Sequence, residues 1–411
     1  MSPPAKPWAY LDELLDAAFH WLDDMRLNQS FLDTAHLTGN SNRHSATLQI
    51  ASPILGRPSR SMRTARLSLF LTLLSIGAAF GVDPQGRPSE TGVTAESLAV
   101  IINDDDPQSR EVARYYQARR QIPAANMIHV RFAPGKSVMS HTAFQKIRTE
   151  VTARTPANVQ AYALTWAAPY RVECMSITTA FATGFDRKFC SRDCGATTPT
   201  PYFNSDSRAP YSDYGIRPTM ALSGVSVDEV KRLIDRGLAS DASFPRGTGY
   251  LVSTGDKARN VRAILYPTIL QYLGGKLNLQ VVHADEIQNR DDVLFYFTGT
   301  AKVNGLETVR FLPGAIADHL TSAGGQLTDS GQMSSLRWLE AGATGSYGAV
   351  VEPCNLPDKF PSPGIVIKHY LQGEPLIEAY WKGVAMPGEG IFIGEPLARP
   401  FGRRSAASDV H

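Results

Sequence analysis

Residues 293–300 run Val-Leu-Phe-Tyr-Phe-Thr-Gly-Thr (VLFYFTGT). Five large apolar side chains in an unbroken row leave no polar face, so 293–298 reads as a strand buried on both sides. Outward from it, the chain alternates short β-rich runs with amphipathic segments. Strands are expected at 98–103, 161–166, 249–253, 279–283, 349–351 and 391–394. Helices are expected at 227–239, 259–272, 313–322, 335–341, 365–371 and 376–382. One more helix should start after the first strand, where Asp106 offers a cap, Pro107 takes the first helical position, and Val112, Tyr115 and Tyr116 form an apolar stripe. Strands separated by helices long enough to cross over give an α/β fold, a mostly parallel, doubly wound sheet with helices on both faces.

The 411 residues are 43% hydrophobic and 19% charged, ample for a core. With 41 basic and 39 acidic residues the net charge is +2, which announces neither a nucleic-acid partner nor a polybasic membrane surface. There is no internal repeat. One α/β domain is expected from 95 to 403, carrying a Cys-containing loop insertion, with 404–411 as a disordered tail. The insertion is 183–218, rich in Gly, Pro, Ser, Asp and Tyr; the aromatic residues Phe185, Phe189, Tyr202, Phe203 and Tyr211 favour an ordered surface there.

Residues 62–81 read as a cleavable export signal. Arg63 and Arg66 form its positive start, residues 67–79 (LSLFLTLLSIGAA) its apolar stretch, and Ala79-Phe80-Gly81 its cleavage site. The apolar stretch falls short of the about 20 residues a membrane-spanning helix needs, and Asp83, Pro84 and Gly86 end it. No stable membrane span is therefore expected after cleavage, and the product is expected in the periplasm or outside the cell. Residues 1–61 precede the signal and are expected to be upstream sequence or a disordered segment, although Leu11, Leu14, Leu15, Ala18, Phe19 and Leu22 follow helical spacing. In an oxidising compartment Cys174, Cys190, Cys194 and Cys354 can pair in three ways; a bridge between Cys190 and Cys194, or from one of them to Cys174, would staple the insertion.

Seven phrases occur in order: 98–127 (LAVIINDDDPQSREVARYYQARRQIPAANM), 164–172 (LTWAAPYRV), 181–190 (FATGFDRKFC), 246–263 (RGTGYLVSTGDKARNVRA), 312–325 (LPGAIADHLTSAGG), 342–355 (GATGSYGAVVEPCN) and 391–401 (IFIGEPLARPF). Together they resemble a conserved family of exported bacterial proteins that carries no established activity. More distantly, the chain resembles the gingipain-type cysteine peptidases, whose fold is caspase-like. In those a hydrophobic strand ends in Thr-Gly-His-Gly with the catalytic His, and the next strand ends near the nucleophilic Cys. Here residues 295–303 (FYFTGTAKV) occupy the first place and 314–325 (GAIADHLTSAGG) the second. Thr300 stands where the histidine should be, and the second segment has no cysteine. The resemblance thus implies a gingipain-like fold without the usual His/Cys dyad, serving as a binding or cell-envelope component.

The rival expectation is a hydrolase with a rebuilt site. Cys354, flanked by Glu352 and Asn355, follows an apolar strand at the edge where α/β sites usually sit. It would be the nucleophile, with His319 or His369 as base and Asp318 or Glu352 in support; a disulfide half is the structural alternative. Asp318 and His319 fall on the expected helix 313–322, where neighbours do not share a face. Asp256, Arg259 and Arg262 open a helix after a strand and could hold a substrate anion, together with Thr300 and Asn355, or form an Arg–Asp network that fixes the loop. Asp104 and Asp105, with Asp106, could hold a divalent cation or be only a solvated turn. There is no other cofactor signal: no P-loop, no GxGxxG after a strand, no GxSxG and no HExxH.

Overall fold

The computed structural model describes residues 92–191 and 194–402. The expected signal at 62–81, the segment 1–61 and the tail 404–411 lie outside the described residues. The fold is α/β, built on a ten-stranded, mostly parallel sheet. In chain order the strands are β1 (Leu98–Asn103), β2 (Met127–Val130), β3 (Val138–Met139), β4 (Ala161–Leu164), β5 (Arg171–Val172), β6 (Met175–Ser176), β7 (Thr219–Ala221), β8 (Thr248–Ser253), β9 (Asn278–His283), β10 (Arg290–Gly299), β11 (Val309–Leu320), β12 (Gly345–Ala349) and β13 (Gly390–Gly394). The large sheet runs β2-β1-β4-β7-β13-β12-β11-β10-β8-β9, while β3, β5 and β6 form a small separate sheet. Every pair in the large sheet is parallel except β12–β13, which pairs antiparallel from Gly345↔Gly394 to Ala349↔Gly390. Two parallel half-sheets of opposite direction therefore meet at its middle.

The helices are α1 (Pro107–Arg120), α2 (His141–Arg154), α3 (Ile177–Thr183), α4 (Pro210–Tyr214), α5 (Val227–Ser240), α6 (Tyr266–Leu273), α7 (Leu336–Glu340), α8 (Pro363–Leu371) and α9 (Leu376–Lys382). Every residue of β1, β4, β7, β12 and β13 is buried, which requires cover on both faces. Asp106 caps α1 as expected, accepting from the Gln108 backbone N–H. On one flank α1 and α5 are tied together by Tyr115 Oη on Asp235 and Lys231 Nζ on Glu111.

Three sequence expectations need correction. Residues 313–322 are not a helix: 313–320 make up most of β11 and 321–322 follow it. Pro313 and Gly314 (φ +88°) lie in an irregular stretch where the register against β10 jumps from Phe311 to Ile316, and only beyond it does the strand run evenly. Pro-Gly before an apolar run resembles a helix start, whereas here it marks a bulge. Residues 259–272 are not one helix: a 3₁₀ stretch (Asn260–Leu265) gives way to α6 where Pro267 enters the first turn. The strand expected at 349–351 lies earlier, as β12.

The described residues of the insertion are held by two disulfides, Cys174–Cys190 and Cys194–Cys354, with Cα–Cα distances of 5.7 and 5.3 Å. The first lies in the expected neighbourhood. The second runs instead to the loop after β12, 160 residues away.

Candidate functional site

In a parallel half-sheet, sites sit beyond the carboxyl ends of the strands. For β8, β10 and β11 that rim carries Asp256, Arg259, Thr300 and Thr321. Arg259 Nη1 donates to Asp256 Oδ2 at 2.9 Å, and its Nε donates to Thr321 Oγ1 at 3.1 Å. Thr321 Oγ1 in turn donates to Gln332 Oε1 at 2.7 Å, and Gln332 Oε1 also accepts from the Ala323 N–H. The guanidinium is thereby oriented but stays partly exposed, as does Asp256. The turn that carries it is packed on the end of β10: a Cβ at Gly299 would fall 2.0 Å from the Arg259 carbonyl oxygen, so glycine is what lets the two backbones meet. Thr300 is partly exposed, and its hydroxyl donates to the Lys302 carbonyl at 3.2 Å.

Beneath this rim lies a buried ion pair. Arg262 Nη2 meets Asp318 Oδ1 at 2.7 Å, with side-chain exposures of 2% and 1%. Arg262 also donates to the carbonyls of Thr298 and Pro361, and Tyr380 Oη donates to Asp318 Oδ2. Arg262 is therefore a brace between β10, β11 and the loop before α8, not a hand held out to substrate. Asp318 is equally committed.

His319 follows Asp318 on β11, so the two point to opposite faces of the sheet. Its Nε2 faces the Met333 carbonyl at 3.1 Å, and its Nδ1 accepts from Trp338 Nε1 at 2.9 Å. That arrangement fixes the neutral ring with the proton on Nε2. Burial pushes its pKa down to about 4. Both nitrogens are occupied, so the ring cannot serve as the base expected for Cys354. His369 is no better placed: buried on α8, it meets Glu374 through Nδ1 and Asn204 through Nε2, and burial lowers its pKa.

Cys354 is bridged to Cys194, and none of the four cysteines is free. The nucleophile expected there has no thiol. Glu352 is exposed and accepts the Cys354 backbone N–H at 2.8 Å, closing a local turn. Asn355 is exposed, with no side-chain hydrogen bond among the described residues. The structure thus gathers Asp256, Arg259 and Thr300 along one rim but does not bring Cys354, His319, Asp318 and Glu352 into one constellation.

The three early carboxylates are already partnered, Arg131 reaching both Asp104 and Asp105. Asp104 meets His129 Nδ1 at 2.7 Å, Asp105 meets Arg131 at 2.8 Å, and Asp106 is the α1 cap. Among the described residues no group of three or more His, Cys, Asp or Glu side chains has metal-binding geometry.

One constellation escaped the sequence. Glu374, Glu378 and Lys382, four apart, lie buried with His369 and Tyr202. Lys382 Nζ is 2.8 Å from Glu374 Oε2 and 3.6 Å from Glu378 Oε2, and Tyr202 Oη donates to Glu378 at 3.2 Å. Burial pushes Glu378 up to about 7. The spacing was visible, but a charged row four apart is ordinarily a solvated helix face; only the insertion folding over it makes it a core feature.

No protein-family model matches the chain, and comparison with curated proteins finds no match. Among solved structures, one described as "Structure of Protease" is similar over 75% of this chain and 79% of its own, at 12% identity and a TM-score of 0.39.

Proposed function

We propose that this chain is an exported α/β protein that binds a ligand at the rim of its sheet rather than cleaving one through a thiol. The observation that carries it is the Cys194–Cys354 bridge: it takes the thiol from the last position where a rebuilt cysteine-peptidase site could form. His319, neutral and held at both nitrogens, supports the same conclusion. So does Thr300, which stands where the gingipain-type resemblance puts a histidine. Two disulfides suit an oxidising compartment, and among the described residues no helix is long and apolar enough to cross a membrane. In this proposal Asp256 and Arg259, with Thr300 beside them, form the binding rim, and the protein serves as a binding or cell-envelope component.

Mass spectrometry of the protein purified from the exported fraction, alkylated with and without prior reduction, tests both halves. The expected result is an N-terminus near Val82 and no alkylation of Cys354 until reductant is added. Alkylation of Cys354 without reductant, or peptide hydrolysis abolished by iodoacetamide, would overturn the proposal.

A further inference from the structure

A cleft of about 560 Å³ opens at the N-terminal ends of β4 and β7, between α2, α3 and α4. It lies apart from Asp256 and Arg259, and it stands or fails independently of their role. Its volume is that of a small-molecule site. Its lining includes Val151, Tyr162, Phe181 and Tyr211, together with two cations, Arg148 and Arg217; among the described residues no acidic side chain lines it.

Arg217 is only 8% exposed. It lies 3.2 Å from the Tyr211 ring centroid and 5.5 Å from that of Tyr162, and its Nε donates to the Val159 carbonyl at 3.1 Å. Among the described residues its terminal nitrogens make no hydrogen bond, and no carboxylate comes within ion-pair distance. Arg148 is partly buried and likewise makes no hydrogen bond or ion pair among them. Gly184, at φ +87°, leaves room for it: a Cβ there would lie 3.1 Å from Arg148 Cζ. Arg120, Arg262 and Lys359 are paired with Glu395, Asp318 and Glu389, and Arg236, which meets no carboxylate, spends its guanidinium on the Leu339 and Ala343 carbonyls. A guanidinium withdrawn from water without a counter-charge is costly, and a planar oxyanion is the group that matches its fork.

We propose that this cleft binds a small organic acid, its carboxylate held by Arg217 and Arg148 and its apolar body packed on Phe181, Val151 and the two tyrosine rings. Stacking on Tyr211 fixes the Arg217 plane before the ligand arrives, so little ordering cost remains on binding.

Benzoate serves as the probe, with benzamide as its uncharged counterpart and inorganic phosphate as the anion without an apolar body. Binding is read by titration calorimetry and by thermal unfolding of the whole protein. Benzoate is expected to bind and raise the unfolding temperature, and benzamide to do neither. Arg148→Gln, which breaks no hydrogen bond or ion pair among the described residues, should weaken benzoate by about tenfold or more. Arg217→Gln, with its circular dichroism compared to the parent, should weaken it at least as much. Absence of benzoate binding, or equal binding to Arg148→Gln, would overturn the proposal. Phosphate binding as tightly as benzoate would overturn the organic-acid assignment, leaving an anion site with no use for its apolar wall.

Discussion

Acidifying the protein should expose how His319 is held. In the folded state burial keeps the ring neutral down to about pH 4, whereas an unfolded histidine titrates near its ordinary value of 6.5. Between those values the unfolded chain takes up a proton that the folded chain refuses. The stabilisation from neutral His319 is therefore intact above pH 6.5, drains as pH falls, and is gone near pH 4. The gap of about 2.5 units, at about 1.4 kcal/mol each, amounts to about 3 kcal/mol. Glu378 works against it. Raised to about 7, it binds its proton more tightly when folded, so its contribution is full below pH 4.5 and is lost as pH rises through 7. The parent's own pH profile is thus a difference of two slopes, and a variant is needed to separate them. His319→Gln keeps an amide for hydrogen bonding but does not titrate. It will be less stable than the parent near neutral pH, and urea unfolding at both ends of the window should show that deficit shrink by about 2–3 kcal/mol between about pH 7 and about pH 4.5. A deficit that stays constant would refute the argument: His319 would then not be a sequestered neutral ring, and its exclusion as a base would fall with it.

Asp318→Asn leaves Arg262 buried beside an uncharged amide and should cost about 3–5 kcal/mol in denaturant unfolding, with a far smaller loss in the double variant Asp318→Asn, Arg262→Met. Cys194→Ser opens a bridge closing 160 residues and should cost about 5 kcal/mol on the chain-entropy model, seen as a lowered unfolding midpoint. Cys174→Ser, closing only 16, should cost nearer 3 kcal/mol on the same model. Gly348→Ala should be severe, at the upper end of overpacking, about 3 kcal/mol. Its Cβ would fall 2.3 Å from Ser335 Oγ and 2.4 Å from the Gly324 carbonyl carbon, and backbone cannot step aside as a side chain can; soluble yield and thermal midpoint check it.

Much of the sheet was legible where its strands carry unbroken apolar runs, as in β1 and the middle of β10, and where its helices carry stripes. VLFYFTG (293–299) falls inside β10, and residues 98–103 coincide with β1. The failure at 313–322 has a local cause. Pro313-Gly314 is chemically the same at a helix start and at a bulge, and only the jump in register against β10 tells the two apart. The alternation of Asp318 and His319 survived that error, since residues one apart share a face in neither structure. Arg259 and Asp256 were recognisable as a pair, but Arg262, three residues on, turns into the core, and nothing in its type announces that. The partner of Cys354 is a tertiary fact; spacing favoured short bridges near the insertion, and the real one joins residues 160 apart. Arg217 drew no notice at all, because its isolation from carboxylates is a property of the folded neighbourhood.

The sheet's strand order also dictates when the molecule can form. β13 comes late in the sequence yet sits fifth of ten across the sheet, its backbone bonded to β12 on one side and meeting β7 on the other. As the chain is synthesised, everything up to residue 389 can leave the ribosome and still find its two half-sheets without the strand that joins them. A nascent chain in that condition cannot join its two half-sheets, so closure of the sheet is a late, long-range event. The last strand to emerge is thus the one that fastens the two halves to each other, and residues 390–394 set the moment at which the sheet becomes one.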